Sequence, residues 1–537
     1  MKKTLAWLLC GLLLLTLCGA GALISCSETE DTATETDTEA ATATATDTAT
    51  APEAVTDPET GYATATEVQA DTGTDPTTEV VPDTAAETDP ATEVQSETAT
   101  ETDPETDPEI VTETDPDTDP ETETEIVTET ETEIVTETEI VTETEEEKMN
   151  LGISMESLKE EMQLLYSGTQ VRNETVMFLD AGEEKSLLFH ADSILSVTSY
   201  DGTKTYEEGV DYELRDGKLV ALEGGSLPII TSETYYGAPS SSYLMTAYNG
   251  KNVYTHWGEG TAMTNWQVNV SYTHSDSWGD FLQTCEIGQF EGLIAKLKAG
   301  EDVTVIFYGD SITYGASASF IYSYAPYNYS YPLLFTEALA DLFRYNVTYV
   351  RAGLDGTSHV PSDYILEDAR GTITYINPAV GGWTTQNGLD NYDTYIKPFI
   401  EQYGCDLFVL AFGMNDAAGA PRTVANTQKK ILQKVLEQSP AASLLVVSTM
   451  VPNPDATNGW YGNQANQEKA LDSMVSGLQK DGVSCALVRM GSTSRAILEH
   501  KNFRDYTGNN INHPNDFFSR VYAQCLLQAL IGYENMG

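Results

Sequence analysis

The chain has 537 residues and a formal net charge of -57, and its length allows two or three domains. The charge is uneven, because about 40 of the 84 acidic residues lie between Ser27 and Glu147, where no Lys or Arg occurs. The rest of the chain is moderately acidic. This balance argues against nucleic-acid binding, which needs clustered Lys and Arg to neutralise phosphates.

Residues 1–25 have the pattern of an export signal. Lys2 and Lys3 precede a mostly apolar run from Leu5 to Leu17, which is too short for a stable membrane span. Leu23-Ile24-Ser25-Cys26 resembles the bacterial lipobox, in which signal peptidase cuts before a cysteine that carries lipid. The resemblance implies a lipoprotein anchored through Cys26 at the extracellular face of a bacterial cell membrane. Ordinary secretion with a chance cysteine is the alternative.

The composition of residues 26–148 predicts a disordered acidic tether rich in Thr and Glu. The segment consists largely of Thr, Glu, Asp, Ala and Pro in drifting repeats. Low hydrophobicity with high charge cannot offset the entropy of ordering, and like charges extend such a chain. A tether of this kind would lift a domain off a membrane. Binding of a cationic partner or of calcium is a secondary alternative, although the repeats lack the ligand spacing of a calcium loop.

Residues 149–295 are predicted to form a β-sandwich of jelly-roll type, because short alternating runs are separated by turn signals. Later aromatic residues offer either a carbohydrate-stacking surface or ordinary packing, and we favour packing because most aromatic side chains are buried. The expected strands are Thr175 to Leu179, Ser186 to Phe189, Ile194 to Tyr200, Tyr212 to Leu214 and Leu219 to Leu222. The aromatic residues are Tyr235, Tyr236, Tyr243, Tyr254, Trp257, Trp266, Tyr272 and Trp278.

Four widely spaced cysteines follow Cys26, and three of them lie within apolar patterns. We expect buried thiols rather than a disulfide framework, with no zinc spacing among them. They are Cys285, Cys405, Cys485 and Cys525.

The run from Val303 to Gly309 is a short β-branched and aromatic strand that leads into Asp310 and Ser311. A continuous apolar run is typical of a buried parallel strand, and ligands bind beyond the carboxyl ends of such strands. Ser311 therefore stands where a nucleophile would be. Gly309-Asp310-Ser311-Ile312-Thr313 resembles the first signature block of the SGNH, or GDSL-type, hydrolases, a family of serine esterases and acyl hydrolases.

Two later strand ends resemble the second and third blocks of that family. The second block is matched by Asn377-Pro378-Ala379-Val380-Gly381-Gly382. The match implies that the Gly382 N–H and the Ser311 N–H both belong to an oxyanion hole. A glycine at this position lets the backbone approach the substrate closely. Gly413-Met414-Asn415-Asp416 matches the third, whose Asn side chain donates to the oxyanion and stays protonated at every working pH. Ordinary turns are the alternative for each motif taken alone.

The last block begins at Gly508 and contains His513 before a proline, just ahead of a helix. By the same resemblance, His513 takes the proton of Ser311 and returns it to the leaving alcohol. The chain departs from the family pattern Asp-x-x-His, because the residue three before His513 is Asn510. Asn510 or a main-chain carbonyl is expected to orient His513, and Asp505 is a third possibility. Asp516 is expected to cap the terminal helix instead.

Helices and strands alternate along residues 296–537, which predicts a flavodoxin-like three-layer α/β/α domain with five parallel strands. Trp383 and Trp460 are candidates for lining an acyl or sugar site, with loop packing as the alternative. The expected helices are Tyr331 to Arg344, Thr423 to Gln438, Gln464 to Lys480 and Phe517 to Gly532. The extended segments between them are Val347 to Arg351, Thr372 to Asn377, Cys405 to Phe412, Ser443 to Met450 and Val483 to Val488.

These observations predict a serine-dependent carboxylic ester hydrolase without metal or cofactor. The order of β-domain and hydrolase resembles a branch of bacterial carbohydrate esterases, and a long stalk suits polymeric substrates, so O-deacetylation of a polysaccharide is preferred. A lipase-like or thioesterase-like hydrolase of small esters is one alternative. A non-catalytic surface glycan-binding protein is another. The sequence leaves the oligomeric state open.

Overall fold

The computed structural model describes residues 168–237, 246–248, 251–352, 360–455 and 462–533, and all of them belong to one compact unit. The predicted signal, the predicted tether, Cys26 and Trp460 lie outside the described residues. Within the described ranges, every helix is too short or too polar to pass through a bilayer.

The first part of the described chain is a β-sandwich region made of short antiparallel strands. The strands are β1 Gln170–Met177, β2 Glu184–Lys185, β3 Ser193–Ser199, β4 Thr205–Tyr206, β5 Tyr212–Arg215, β6 Lys218–Ala221, β7 Thr246–Tyr248, β8 Lys251–Val253 and β9 Gln267–Thr273. They form a four-stranded sheet in the order β1-β9-β3-β4, a three-stranded sheet β2-β6-β5 and a β7-β8 hairpin. Two short helices, α1 Ser232–Tyr236 and α2 Thr261–Thr264, lie among them.

The predicted strands agree with β3, β5 and β6 to within one residue at either end. The strand predicted from Thr175 only overlaps the end of β1, which begins five residues earlier, and the run from Ser186 to Phe189 is not a strand. The observed strand β2 ends just before it. Strand β9, which the sequence analysis missed, is the inner partner of both β1 and β3. Its residues Val268, Val270 and Tyr272 are buried in the hydrophobic core, and Gln267 and Ser271 on the other face are buried as well, so both faces of this strand are largely covered.

The aromatic residues of this region mostly pack inside the protein. Tyr235 and Tyr272 are buried, and the Tyr272 hydroxyl donates to Glu174 at 2.7 Å. Trp266 packs against a small core cluster, and the Trp278 ring lies edge-on to Phe189 with centroids 5.8 Å apart. Packing therefore accounts for the positions of these four aromatic side chains, as the sequence favoured.

The second part is a parallel sheet with helices on both faces. Its strands are β10 Val303–Gly309, β11 Tyr345–Val350, β12 Gly371–Ile376, β13 Leu407–Ala411, β14 Ser443–Val447 and β15 Cys485–Val488, in the order β11-β12-β10-β13-β14-β15. Its helices are α3 Glu291–Ala299, α4 Ser311–Tyr314, α5 Tyr331–Phe343, α6 Thr385–Asp390, α7 Tyr392–Tyr395, α8 Lys397–Tyr403, α9 Pro421–Gln438, α10 Gln464–Lys480, α11 Met490–Leu498 and α12 Asp516–Leu530.

The predicted α/β/α fold class is confirmed, with six strands rather than five. Strands β12, β10, β13, β14 and β15 have the flavodoxin-like order, with the first strand second in the sheet. Strand β11 adds a sixth member at the edge, parallel to β12. Helix α10 has the predicted bounds, and helices α5, α9 and α12 differ from the predictions by one or two residues at either end.

Strand β10 lies in the middle of the sheet, and every one of its residues is buried. Its side chains alternate between two hydrophobic clusters, with Phe307 on the side of α5 and α12, and Tyr308 on the side of α9 and α10. The Phe307 ring lies 6.1 Å from that of Phe335, and the Tyr308 ring lies 5.0 Å from that of Phe412. Burial on both faces explains why the strand is an unbroken apolar run, and it places the residues after Gly309 at the sheet's carboxyl edge.

The four cysteines of the described part are thiols, as predicted. Cys405, Cys485 and Cys525 are buried, and Cys285 is half-buried. Burial raises the pKa of the Cys405 thiol well above its usual range, and Asp406 raises it further, so this thiol is an unreactive core side chain.

Candidate active site

The nucleophile candidate Ser311 lies at the turn from β10 into α4. Asp310 is the N-cap of α4, and its carboxylate accepts from the Ile312 N–H at 3.1 Å. A Cβ on Gly309 would come within 2.4 Å of the Ala411 carbonyl oxygen, so only glycine fits the end of this strand. The Gly-Asp-Ser turn is therefore dictated by close packing against β13 and by helix capping, and it leaves the Ser311 side chain partly exposed.

His513 faces this serine. Its Nε2 lies 2.9 Å from the Ser311 Oγ, within hydrogen-bond reach. The loop that carries the imidazole turns around Asn509, whose Oδ1 accepts from three consecutive backbone N–H groups, those of Ile511, Asn512 and His513, at 2.9 to 3.0 Å. The structure thus brings Ser311 and His513 together as expected of a nucleophile and its base.

The other imidazole nitrogen has a partner that the sequence analysis did not name. His513 Nδ1 lies 2.9 Å from Glu259 Oε1, and Glu259 precedes α2 in the β-sandwich region. The Asn509 amide nitrogen also donates to Glu259 Oε1 at 2.9 Å. The same Asn509 nitrogen lies 2.9 Å from Nδ1 as well. Because a carboxylate only accepts hydrogen bonds, the Glu259 contact assigns the proton to Nδ1; the Asn509 nitrogen then donates to Glu259 rather than to Nδ1, and Nε2 is left to accept from Ser311. No local pattern marks Glu259, because it lies far earlier in the chain than the blocks.

Asn510, which was expected to orient His513, does not contact it. The Asn510 side chain donates to the Tyr235 hydroxyl at 2.6 Å and to the His256 carbonyl at 2.7 Å. Its backbone has a φ of +62°, a left-handed conformation that Asn tolerates better than most residues. This expectation is corrected: Asn510 shapes the loop and ties it to the β-sandwich region.

Asp505 is also turned away from the imidazole. Its carboxylate is buried, accepts from the Met177 N–H at 2.9 Å and pairs with Lys185 at 2.8 Å. Burial raises the pKa of Asp505, but Lys185 and the neighbouring cations outweigh this effect and lower it below its usual range. Asp505 therefore fastens the loop to β1 and β2.

The cap of the last helix also differs from the expectation. Asn515 is the N-cap of α12, and its side chain accepts from the Phe518 N–H at 3.1 Å. Asp516 is the first helical residue and accepts from the Ser319 N–H at 2.9 Å.

The β-sandwich region holds the His513 loop through further side chains of its sheet. Gln267 of β9 donates to the carbonyls of Arg504 and Thr507, both at 2.8 Å. The Asn515 amide donates to Thr175 of β1 at 2.9 Å. The loop is thus positioned by contacts to both β1 and β9, in addition to its own α/β sheet.

The two proposed oxyanion loops lie beside the nucleophile. The Val380 N–H donates to the Gly309 carbonyl at 3.1 Å, and a Cβ on Gly381 would be 3.7 Å from the Ser311 Cβ. Gly382 is exposed and has a φ of +78°, so glycine is favoured there by the left-handed backbone. Asn415 donates to the Trp383 carbonyl at 3.0 Å, which joins the second and third blocks.

Trp383 is mainly a packing residue. Its ring lies edge-on to Tyr395, with centroids 4.8 Å apart, and edge-on to Tyr308 at 6.4 Å. The ring is only partly exposed, so packing accounts for its position.

The surroundings of Ser311 and His513 shift two acid-base groups. Burial raises the pKa of Asp310 to about 7, although the Ile312 N–H and His513 lower it. Burial lowers the pKa of His513, but Glu259 and Asp310 raise it, so the net pKa lies above its usual value. Among the described residues, no cluster of three or more His, Cys, Asp or Glu side chains is arranged to hold a metal ion.

Replacing Asn415 with alanine is expected to lower kcat for ester hydrolysis by about 10²- to 10³-fold, with KM little changed, because an oxyanion donor acts on charge that develops in the transition state. Steady-state kinetics on an activated ester measures this change. Asn391→Ala is the matched control, since the Asn391 amide only donates to the Asn387 carbonyl within a helix end. An unchanged kcat in Asn415→Ala would remove Asn415 from the oxyanion hole.

Comparison with known proteins agrees with this geometry. Residues 307–517 match the model of the GDSL-like Lipase/Acylhydrolase family. The match covers the α/β part of the chain and supports an ester-hydrolysing enzyme. The chain matches no curated protein sequence.

Several solved structures resemble part of the chain at low similarity. One is a two-domain esterase (CEX) active on acetylated mannans, co-crystallized with mannopentaose, which is 16% identical to this chain with a TM-score of 0.31. The match covers 45% of this chain and 53% of that one. The chain therefore spans about half the length of that esterase. The acetyl xylan esterase AlAXEase is 16% identical with a TM-score of 0.29, covering 43% of this chain and 100% of that one. A catalytic mutant of Axe2, an acetylxylan esterase from Geobacillus stearothermophilus, is 10% identical with a TM-score of 0.29, covering 42% of this chain and 93% of that one.

Proposed function

We propose that the protein is a serine-dependent carboxylic ester hydrolase that removes O-acetyl groups from a polysaccharide. The observation that carries the ester-hydrolase assignment is the 2.9 Å contact between Ser311 Oγ and His513 Nε2 at the carboxyl edge of the sheet. The preference for a polymeric substrate rests on the surface around Ser311 and on the predicted tether.

The reaction follows from the positions of the side chains. His513 Nε2 takes the Ser311 proton as Oγ attacks the ester carbonyl carbon, and the backbone N–H groups of Ser311 and Gly382 with the Asn415 amide hold the oxyanion. His513 then gives the proton to the alcohol oxygen as the carbon–oxygen bond breaks. Water attacks the acyl-enzyme with His513 as base, and the acid leaves as Ser311 is restored.

Exposed tyrosines that follow Ser311 in the sequence would suit an extended sugar chain. Tyr314, Tyr322 and Tyr327 are among the most exposed large hydrophobic side chains described, and all three follow the nucleophile closely in sequence. The Tyr322 hydroxyl donates to Glu259 at 3.1 Å, so this ring borders the His513 side of the site. Exposed tyrosine rings offer faces on which sugar rings stack while their hydroxyls bind polar groups.

The location of the enzyme is part of the proposal. A lipoprotein signal over residues 1–25, a lipid at Cys26 and the acidic tether over residues 26–148 would place the hydrolase outside the cell and away from the membrane. The preceding β-sandwich region would have jelly-roll topology. The partners implied are an acylated carbohydrate and, through the lipid, a membrane.

A substrate panel tests this proposal. Acetate release from acetylated xylan and acetylated mannan is measured beside hydrolysis of p-nitrophenyl acetate, butyrate and octanoate. We expect acetate release from at least one glycan, and rates that fall as the acyl chain lengthens. Ser311→Ala should abolish both activities, whereas Ser473→Ala, which changes an exposed serine on α10, should retain them. Faster hydrolysis of octanoate would favour a lipase-like enzyme, and glycan binding without hydrolysis would favour a non-catalytic binding protein.

A further inference from the structure

A serine hydrolase needs an acceptor at the Nδ1 of its histidine, because that contact fixes the imidazole tautomer and stabilises the imidazolium that forms during the reaction. The two side chains that the sequence offers for this role are engaged elsewhere. Asn510 binds Tyr235 and the His256 carbonyl, and Asp505 pairs with Lys185. Neither Asn510 nor Asp505 therefore accepts a hydrogen bond from His513 Nδ1.

We propose that Glu259, supplied by the β-sandwich region, is the positioning residue that completes a triad with Ser311 and His513. This inference rests on the proposed ester-hydrolase function. Glu259 Oε1 lies 2.9 Å from His513 Nδ1, on the opposite side of the ring from the 2.9 Å contact between Nε2 and Ser311 Oγ. The Glu259 carboxylate holds the Nδ1 proton, so that Nε2 is free to accept the proton of Ser311.

Four donors hold the Glu259 carboxylate in this place. His513 Nδ1 and the Asn509 amide meet Oε1, and the hydroxyls of Ser317 and Tyr322 meet Oε2 at 2.9 and 3.1 Å. The orientation of the Asn509 amide is itself set, since its oxygen accepts the backbone N–H groups of the His513 loop. A carboxylate with both oxygens occupied in this way is held in a single rotamer, which is what a precise contact to imidazole needs.

The backbone around Glu259 is also fastened to the His513 loop. The Gly258 N–H donates to the Asn509 carbonyl at 3.3 Å, and the Asn510 amide donates to the His256 carbonyl at 2.7 Å. The two consecutive asparagines therefore secure the loop that carries Glu259. Asn510 stands where the family pattern has an aspartate. It thus helps to hold the segment that carries the Glu259 carboxylate.

The charges around His513 are consistent with an ionised Glu259. Burial raises the pKa of Glu259, but the charge of His513 and the hydrogen bonds from His513, Asn509 and Ser317 lower it to about 2. The other titratable groups that act on these two residues are Asp310, which raises the pKa of His513, and the phenols of Tyr322 and Tyr324, whose pKa values Glu259 raises.

Glu259→Gln tests the proposal in the full chain, because it keeps the shape and removes the charge. With p-nitrophenyl acetate we expect kcat to fall by about 10²- to 10⁴-fold while KM stays within about twofold. The acidic limb of the kcat/KM profile reports the pKa of His513 in the free enzyme, and it should move to lower pH because the anion that raises that pKa is gone. Glu259→Asp should restore part of kcat and part of the shift.

Glu213→Gln is the matched control, since Glu213 is 37% exposed, lies on β5 of the same region and pairs only with Arg215 among the ion pairs described. It should leave kcat and the acidic limb unchanged. The inference is overturned if Glu259→Gln keeps kcat within about twofold of wild type with an unmoved acidic limb. Circular dichroism shows whether Glu259→Gln folds, and if it does not, Glu259→Asp is the deciding variant. A wild-type kcat with an unmoved acidic limb of its kcat/KM profile overturns the inference. A reduced kcat with a shifted acidic limb supports it.

A readout without substrate separates this inference from the proposed function. The ring resonance of His513 in ¹³C-histidine-labelled protein is identified by its absence in His513→Gln, and its pH titration is compared between wild type and Glu259→Gln. A lower pKa in the variant supports the contact, and an equal pKa overturns it. If wild-type protein hydrolyses no ester, the proposed function fails while the titration still decides whether Glu259 acts on His513.

Discussion

Replacing His513 with glutamine is expected to lower kcat for ester hydrolysis by about 10⁴- to 10⁶-fold, because the Ser311 hydroxyl is a weak nucleophile once the base that removes its proton is lost. The reason lies in the 2.9 Å contact between His513 Nε2 and Ser311 Oγ, which a glutamine amide cannot replace as a proton acceptor. Steady-state kinetics with p-nitrophenyl acetate at pH 8 measures the loss.

The double variant Ser311→Ala with His513→Gln distinguishes a working pair from two separate contributions. Residues that act as one unit are strongly non-additive, so the double variant should be about as slow as either single variant. The control is His500→Gln, since His500 also has a carboxylate partner, Asp280, at 2.6 Å but lies outside the site. A His513→Gln variant that retains more than about one tenth of wild-type kcat would contradict the assignment of His513 as the base.

Replacing Lys501 with methionine is expected to lower the free energy of unfolding by about 3 to 5 kcal/mol, because it leaves the Glu174 carboxylate buried without its cation. Both side chains of this ion pair are fully buried, and the pair links β1 to the segment that leads into the His513 loop. Glu174 would keep hydrogen bonds from the Leu188 N–H at 3.0 Å and the Tyr272 hydroxyl at 2.7 Å. Urea denaturation followed by circular dichroism measures the change.

Two further variants give this prediction its controls. Lys397→Met removes a lysine from an ion pair with Glu401 that is 42% and 58% exposed, and such a change costs only about 0 to 1 kcal/mol. Lys501→Met combined with Glu174→Leu removes both buried charges and should recover much of the loss. The prediction is wrong if Lys501→Met shifts the denaturation midpoint no more than Lys397→Met does.

The sequence determined the fold class because its signals were local. Strand β10 is buried on both faces and is therefore an unbroken apolar run, and the same holds for β13 and β14. Long amphipathic or apolar helices such as α9 and α10 have clear periodicity, and their predicted bounds differ little from the observed ones. Strand β11 shows more alternation, since it lies at the sheet edge, and it was recognised only as an extended segment.

The resemblance to the family's blocks predicted Ser311, Gly382, Asn415 and His513 as site residues, and each of them follows a strand or precedes a helix at one edge of the sheet. The structure brings the first three blocks to one edge and joins His513 to Ser311. What the sequence left open was the group that steadies His513. Short-range spacing pointed to Asn510 or Asp505, and both contact other residues.

Only the tertiary structure decided that Glu259 faces His513. The contact forms because β1, β2 and β9 dock on the loop from Asn502 to Asn515 through buried ion pairs and side-chain hydrogen bonds. That docking joins segments far apart in the chain and follows no period or motif within either one. The sequence thus determined the parallel sheet and predicted the candidate nucleophile and base from patterns within single elements, whereas the carboxylate beside His513 depends on how two parts of the molecule pack together.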